Sequence, residues 1–586
     1  MGSIFGYVGR PMEGLLDGMA ERLSHRSKKM PPPQIGVETI KLDIAPQYVV
    51  EIGHGIPQWC GKQRVFVNQQ NKQAWGYSGV IFNPAPLDSM LNGGEEALKE
   101  LTGSFVMACA HQKKFYLLRD AAGIKGLYWY RHKERLLFAS EIKALFADPM
   151  VEREIRTDAL PEYLTFSFIP GRQTMFKGIE ELQPGHMLTF ENNQVGIQRH
   201  FYFEHLEPEP GEQEPIEHQV RSFRRLLEQS VHQCCESTEQ TPGIFLSGGI
   251  DSSAVLAVMA NLYPGKPINT FSVHFGSNYA NENDFISMMV EKYRTRHTWL
   301  EIKPGGFIKR LKEIIYRLDD PIGDPITVPN YLLAETASQV TNVILNGEGG
   351  DPCFGGPKNI PMMLSQLYGP AGREDADNWS ELNYLRSYRK CYSDLEELLN
   401  PDLFSPQQWQ NSLQEILHPF FKSPQPRAYI NKLMTINIRL KGANLILIKV
   451  DKMTSANGVL ALAPLFSKEV IQAGMGFAPT LKLNGNVEKH ILKMAVKDIL
   501  PEPIIQRPKC GMMVPVRFWF QEDMKRYAKR LLSKRKLKNI GFFNPDYVRR
   551  LLKYNLNDIH GMRYGTKLWM LITFILWHEQ MVEGNY

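Results

Sequence analysis

The stretch Ile244-Phe245-Leu246-Ser247-Gly248-Gly249-Ile250-Asp251-Ser252-Ser253 decides how this chain is read. Gly243 to Leu246 is a short apolar run bounded by turn signals, which predicts a buried strand. Ala254 to Met259 then predicts an amphipathic or buried helix. Between the two lie a pair of glycines and three hydroxyl side chains. Glycine lets a backbone turn sharply and approach a ligand closely. The free N–H groups at the start of the new helix, with its positive dipole end, make a cradle for phosphate. An aspartate alone would repel phosphate, so Asp251 is expected to hold a magnesium ion that the phosphates share. The combination predicts nucleotide chemistry, with Leu246, Ser247, Gly248, Gly249, Asp251, Ser252 and Ser253 as the binding residues. The competing reading is a plain Gly-Ser turn between a strand and a helix.

The whole chain sets wide bounds. At 586 residues it has material for two to four domains with large cores. With 43% hydrophobic and 22% charged residues it has the composition of a globular protein. The net charge of +6 is slight at this length; it suits an anionic substrate such as ATP and demands no nucleic-acid partner. No uninterrupted apolar run is long enough to span a bilayer. The first residues lack the layout of a signal peptide, and Gly6 stands where an N-myristoylation motif wants Ser or Thr. Cys60, Cys109, Cys234, Cys235, Cys353, Cys391 and Cys510 show no CxxC spacing, so reduced thiols in a cytoplasm are expected and no zinc site is.

The spacing around Gly248 is not the Walker pattern, which ends in Gly-Lys-Ser/Thr. It resembles the signature of the pyrophosphate-loop (PP-loop) ATPases. That resemblance implies cleavage of ATP between its α- and β-phosphates and transfer of AMP to an oxygen of the substrate.

Upstream, short β-like runs dominate to about residue 200: Ser3 to Val8, Arg64 to Val67, Ser104 to Ala110, Lys114 to Leu118 and Leu136 to Ala139. Leu118-Arg119-Asp120-Ala121-Ala122-Gly123-Ile124-Lys125-Gly126-Leu127-Tyr128, Phe138 through Leu145, and Phe168 through His186 resemble the glutaminase half of asparagine synthetase and its junction with the synthetase half. The resemblance implies an N-terminal-nucleophile (Ntn) amidohydrolase fold. That chemistry needs a cysteine directly after Met1, whose thiol attacks glutamine while the free α-amine serves as base. Here Met1-Gly2-Ser3-Ile4-Phe5-Gly6 stands where the family reads Met-Cys-Gly-Ile-Phe-Gly, and Ser3 is one residue out of register. The family's Asn-Gly-Glu-Ile-Tyr-Asn is Ser78-Gly79-Val80-Ile81-Phe82-Asn83, and its His-Arg-Gly-Pro-Asp is His25-Arg26-Ser27-Lys28-Lys29. These departures predict a scaffold in place of a working glutaminase.

Beyond the loop, β and α segments alternate as in a doubly wound parallel sheet. By the resemblance, the backbone around Val273 seats adenine. Asn346-Gly347-Glu348-Gly349-Gly350-Asp351 resembles the family's Ser-Gly-Glu-Gly-Ala-Asp. That match implies that Gly347 lines the nucleotide, that Glu348 takes a proton from the attacking amine, and that Asp351 shares the metal with Asp251. Pro357 replaces the family's Tyr. Asp319-Asp320-Pro321-Ile322-Gly323-Asp324 is a family-like turn whose acids could cap the next helix. Glu488 through Lys493 and Gln506 through Gly511 match two further elements; by that match Lys489 and Lys509 neutralise departing pyrophosphate, and Lys509 also holds the developing oxyanion. Leu460, Leu462 and Ser467 stand where the family has Glu, Arg and Asp, which makes either a more apolar acyl pocket or a structural swap. The run Lys525 to Lys538 is basic with leucines at helical spacing, a solvated face or a site for an acidic peptide or RNA.

The expected architecture is an α+β Ntn-amidohydrolase-like layered sheet domain over 1–204 and a linker over 205–217. An α/β PP-loop (adenine nucleotide α-hydrolase-like) synthetase domain follows over 218–586, with a helical insertion at about 361–440. The expected activity is AMP- and pyrophosphate-forming amide synthesis with ATP and Mg2+ on a small-molecule or peptide carboxylate. The amine is expected within the substrate itself, as in lasso-peptide cyclases and β-lactam synthetases, which leaves room for a partner protein that delivers a peptide. β-Lactam synthetases carry Tyr at the position of Glu348, which counts against that branch. The alternatives are an ammonia-dependent asparagine synthetase, a PP-loop enzyme acting on tRNA and a catalytically silent scaffold. The family-wide match argues against nucleic acid, and the lack of a long apolar run argues against a membrane.

Overall fold

The computed structural model describes residues 2–27, 36–45, 48–56, 65–68, 72–82, 94–209, 214–368, 378–387, 391–507, 511–554 and 561–584. In the N-terminal half, two six-stranded antiparallel sheets stack. One has the order Ile179–Glu181, Tyr128–His132, Arg135–Ala139, Ser3–Gly9, Tyr48–Ile56, Gly36–Ala45. The other has the order Gln194–Arg199, His186–Glu191, Lys114–Arg119, Gly103–His111, Gln73–Ile81, Val65–Asn68. Strand period explains the stacking. Along Gly103–His111, Val106, Ala108 and Ala110 enter the core between the sheets with Ile4, Val8 and Ile52. The alternate residues Phe105, Met107 and Cys109 enter a second core on the outer face. This is the layered α+β domain expected from the sequence.

The C-terminal half is built on a five-stranded parallel sheet with the order Arg296–Glu301, Asn269–His274, Gly243–Phe245, Val343–Leu345, Leu460–Leu462. The chain starts at the central strand, winds outward to one edge, then returns to wind outward to the other. The reversal lies between Gly243–Phe245 and Val343–Leu345, and the crevice at such a switch point is where open α/β sheets bind ligands. The helix Ile250–Leu262 that follows the first of these strands is buried on every face from Ile250 to Met259, which is why its sequence shows no polar stripe.

Several elements differ from expectation. The middle of the segment read as a linker, 210–213, lies outside the described residues; at its flanks Glu204–Leu206 forms a 3-10 turn, the Glu207 carboxylate accepts from Ala428 N at 3.1 Å, and a helix already begins at Ile216. The basic run is two short helices, Lys525–Leu531 and Lys534–Ile540, broken where Ser533 is extended. Leu531 and Leu537 are buried, so the leucine spacing reports packing. Inside the helical extension, Asn437–Leu447 is a π-helix, a rare geometry that recurs at functional sites. Among the described residues no helix is long and apolar enough to cross a membrane.

The two halves share one core, in which Tyr163 and Phe176 meet Trp569 and Trp577 of the helix Gly561–Met581. They also share a chain of buried charges. Arg26 bridges Glu141 Oε1 at 2.8 Å and Asp451 Oδ2 at 3.0 Å, and Lys125 reaches Asp451 Oδ1 at 2.6 Å. Lys143 joins Glu141 at 2.5 Å to Asp319 at 2.7 Å, and Lys452 reaches Asp319 at 3.0 Å. Asp319 thus docks the N-terminal half, accepting also from Ile142 N at 2.9 Å. Neither Asp319 nor Asp324 caps the following helix Thr327–Ala337, whose N-cap is Ile326 without a side-chain bond; Asp324 accepts from Ile326 N at 3.1 Å in the turn before it.

One buried cation outside this chain carries a testable cost. Lys482 is fully buried beside Asn431 Oδ1 at 2.6 Å, and burial pushes its amine down to about 7. Between that value and the ordinary lysine range the folded chain binds fewer protons than the unfolded one, so this group's contribution to stability rises with pH. Lys482→Met is therefore expected to raise stability by ~2 kcal/mol at pH 6.5, an advantage that fades toward pH 10. Thermal unfolding across that range checks it; an advantage independent of pH would refute the assignment.

Candidate active site

Two glycine-rich turns leave the carboxyl ends of the strands at the winding reversal. In the first, Leu246 N donates to Phe271 O at 2.9 Å and Ser247 N donates to Ser252 Oγ at 3.1 Å, which closes the loop onto its own helix. Gly248 has φ 72°, the left-handed region that favours glycine. In the second turn a Cβ on Gly347 would lie 2.4 Å from Ser252 N, and one on Gly350 would lie 2.1 Å from Asp251 Oδ1. Glycine at 347 and 350 is therefore the condition for the two loops to touch.

That contact gathers the charges. Lys489, 1% exposed, places Nζ 2.6 Å from Asp251 Oδ2 and 2.6 Å from Asp351 Oδ1. The lysine sits at φ 54° directly before the helix His490–Ala495, a left-handed position for a non-glycine residue that turns its side chain inward. The two aspartates supply hard oxygen donors of the kind magnesium takes. Ser253 Oγ, fully buried in the first turn of the helix, has no hydrogen-bond partner among the described residues. Donor set and cradle thus fit a metal–nucleotide pair. Glu348 is half-buried in the same turn, where its N–H donates to Asn346 Oδ1 at 3.0 Å. Val273 lies on the adjacent strand Asn269–His274, paired in register with Leu300. Lys509 falls outside the described residues.

Other expectations resolve differently. Leu460 and Leu462 are buried in the core with Leu345, Leu447 and Phe466, so they are packing residues and say nothing about the acyl pocket. Ser467 caps the helix Lys468–Gly476 by accepting from Val470 N at 3.2 Å. Lys441, on the π-helix, escaped the sequence reading. Burial, then Lys358 and Lys449, push its amine down to about 8, while Asp351 and Asp324 oppose them. On the helix that continues the π-helix, Lys449 pairs with Asp324 at 2.5 Å. Asp319 and Arg507 lie in stretches that match the family, but the sequence assigns neither its role, because their partners lie far along the chain.

At the N-terminus, a Cβ on residue 2 would stand 2.2 Å from His54 Nε2. Ser78 Oγ donates to Gly2 O at 2.6 Å, Val80 is buried in apolar surroundings, and His25 and Arg26 face Glu141.

A family model described as asparagine synthase matches residues 222–579, and one described as a glutamine amidotransferase domain matches residues 86–202. The chain is 26% identical over 522 residues to glutamine-hydrolyzing asparagine synthetase 1 of Bacillus subtilis (strain 168), covering 84% of this chain and 80% of that protein. It is 25% identical over 529 residues to a putative glutamine-hydrolyzing asparagine synthetase of Mycobacterium tuberculosis (strain ATCC 25618 / H37Rv), covering 84% and 78%. It is 25% identical over 543 residues to the amidase chyE of Penicillium rubens, covering 78% and 76%.

Proposed function

Since the chain belongs to the asparagine synthase family and is an ATP-dependent ligase that forms amide bonds, we propose that it does so without hydrolysing glutamine. The observation that carries this reading is at residue 2, where the nucleophile's side chain is missing and the His54 ring stands in the space a Cβ would need. A thiol there would require His54 to move.

In the proposed reaction a substrate carboxylate attacks the α-phosphorus of ATP, releasing pyrophosphate, and an amine then displaces AMP from the acyl-adenylate. Asp251 and Asp351 would hold magnesium, which when bound neutralises polyphosphate charge. The loop 246–253 and Gly347 would receive the phosphates, and the backbone at Val273 the adenine. Lys489 would pass from the aspartates to the departing pyrophosphate, with Lys509 as the second cation, because fixed charge acts most where charge develops. Glu348, beside Asp351 in the second turn, would take the proton of the attacking amine. With no glutamine-derived ammonia, the amine is proposed to belong to the acyl substrate, giving a ring closure on a small-molecule or peptide acid that a partner protein could deliver.

The test measures pyrophosphate release and product mass with ATP, magnesium and a panel of amino-acid and peptide acids, with ammonia or glutamine added. The expected result is no glutamate from glutamine, from the native chain or from Gly2→Cys. Turnover on an acid bearing its own amine should be lost in Glu348→Gln. Asparagine formed from aspartate and ammonia would overturn the ring-closing part, and glutamate formed from glutamine would overturn the inactive N-terminal site.

A further inference from the structure

Arg507 grips the phosphate loop from outside. Its Nη1 donates to Gly248 O at 3.1 Å, its Nη2 pairs with Glu282, and its guanidinium lies 4.1 Å from the centroid of the Phe285 ring. The side chain is 8% exposed. Glu282 and Phe285 both come from the start of the helix Asn283–Tyr293, so the grip is anchored on an element outside the loop itself.

A trans peptide is planar, and its C=O and N–H point in opposite directions. Holding the Gly248 carbonyl outward on Arg507 therefore turns the N–H of Gly249 inward, where it faces Ser247 Oγ at 3.4 Å. Glycine at 248 could adopt the opposite peptide orientation at little cost. That orientation would set a carbonyl oxygen against the phosphates, where its negative end repels them. We infer that Arg507 is a positioning residue that locks the Gly248–Gly249 peptide with its N–H toward the nucleotide phosphates. The planar guanidinium suits the task because one edge takes the carboxylate, another takes the carbonyl and the face takes the ring. A lysine ammonium can make only part of that set.

The inference rests on the nucleotide reading of the loop, and its test needs no acyl substrate. Binding of Mg-ATP and of adenosine to the full-length protein is measured by calorimetry for the native chain, Arg507→Met, Arg507→Lys and Glu282→Gln. The lock acts only on phosphate, so Arg507→Met should weaken ATP by about tenfold or more while adenosine changes by less than about twofold. Arg507→Lys and Glu282→Gln should fall between. An equal loss of both ligands would show that Arg507 merely supports the fold, and unchanged ATP binding would show that the peptide needs no lock. Either result overturns the inference. A native chain that binds neither ligand removes the nucleotide reading itself, and the lock with it.

Discussion

Lys489→Met is expected to lose amide synthesis by at least ~1000-fold and to unfold at a lower temperature, with magnesium restoring much of the lost midpoint. The reason is where the ammonium sits. It is 2.6 Å from a carboxylate oxygen of Asp251 and 2.6 Å from one of Asp351, and it is itself almost fully buried. Removing it leaves two like charges in one small volume with no cation between them. Breaking a buried pair costs about 3–5 kcal/mol. Asp351 keeps 40% of its side chain in solvent, so screening brings the expected cost below that range, to about 2–3 kcal/mol.

Magnesium separates this account from a general weakening of the fold. On the proposed reading, the ammonium and the metal would compete in the native chain for the same two carboxylates. In the variant the metal has no competitor, so its stabilising effect should be larger than in the native protein. The check is a thermal scan of both proteins with and without magnesium, alongside pyrophosphate release. A variant that turns over within about tenfold of the native rate would remove Lys489 from the catalytic set. A magnesium effect equal in the two proteins would remove the aspartates from the metal site.

The elements read correctly from sequence were those whose signal is local. The loop 246–253 announces itself through glycine, hydroxyl and acid at fixed spacing between an apolar strand and an apolar helix, and the strand Val343–Leu345 through a short apolar run before Asn346-Gly347. What stayed hidden depends on partners far away in the chain. Nothing near Asp319 distinguishes a helix cap from a residue whose partners are Ile142, Lys143 and Lys452. At Leu460 and Leu462 the sequence leaves a pocket change and a structural swap equally open, and only their burial in a core with Leu345 and Phe466 decides for packing. The π-helix Asn437–Leu447 has an apolar content that suits an ordinary helix. Its side chains reach across to the N-terminal half. Arg439 donates to Pro184 O at 3.1 Å and Phe201 O at 2.9 Å, and Asn444 to Glu181 Oε2 at 2.8 Å, all on the N-terminal half.

That dependence of the synthetase half on the N-terminal half leads to the second large effect, at Glu141. Its carboxylate receives Arg26 at 2.8 Å, Lys143 at 2.5 Å and His25 at 3.0 Å, and none of the four side chains is more than 4% exposed. Burial would raise this carboxyl, but His25, Lys143 and Arg26 hold it well below the usual range. Across the interface, Glu141, Asp319 and Asp451 stand against Arg26, Lys125, Lys143 and Lys452, so the chain already holds more cations than anions. Glu141→Gln takes away one of three negative charges and is expected to cost about 3 kcal/mol of stability. Because Asp451 and Lys452 lie on the helix that also carries Lys449, and Lys449, Asp324 and Asp351 of the second loop all act on the Lys441 amine, turnover should fall as well. Acid should act on the native interface in the same direction. Burial pushes the His25 imidazole down to about 4, so between its ordinary value and that one the folded chain binds fewer protons than the unfolded chain. Stability contributed by His25 is therefore full at neutral pH and falls as the pH drops from about 6.5 to 4, by on the order of 2–3 kcal/mol. His25→Gln should flatten that part of the acid profile without removing the loss at still lower pH, where Glu141 itself takes a proton. An acid profile unchanged by His25→Gln, or a Glu141→Gln protein as stable as the native one, would mean that this charge chain does not hold the two halves together and that the shared apolar core and the hydrogen bonds of Arg439 and Asn444 do.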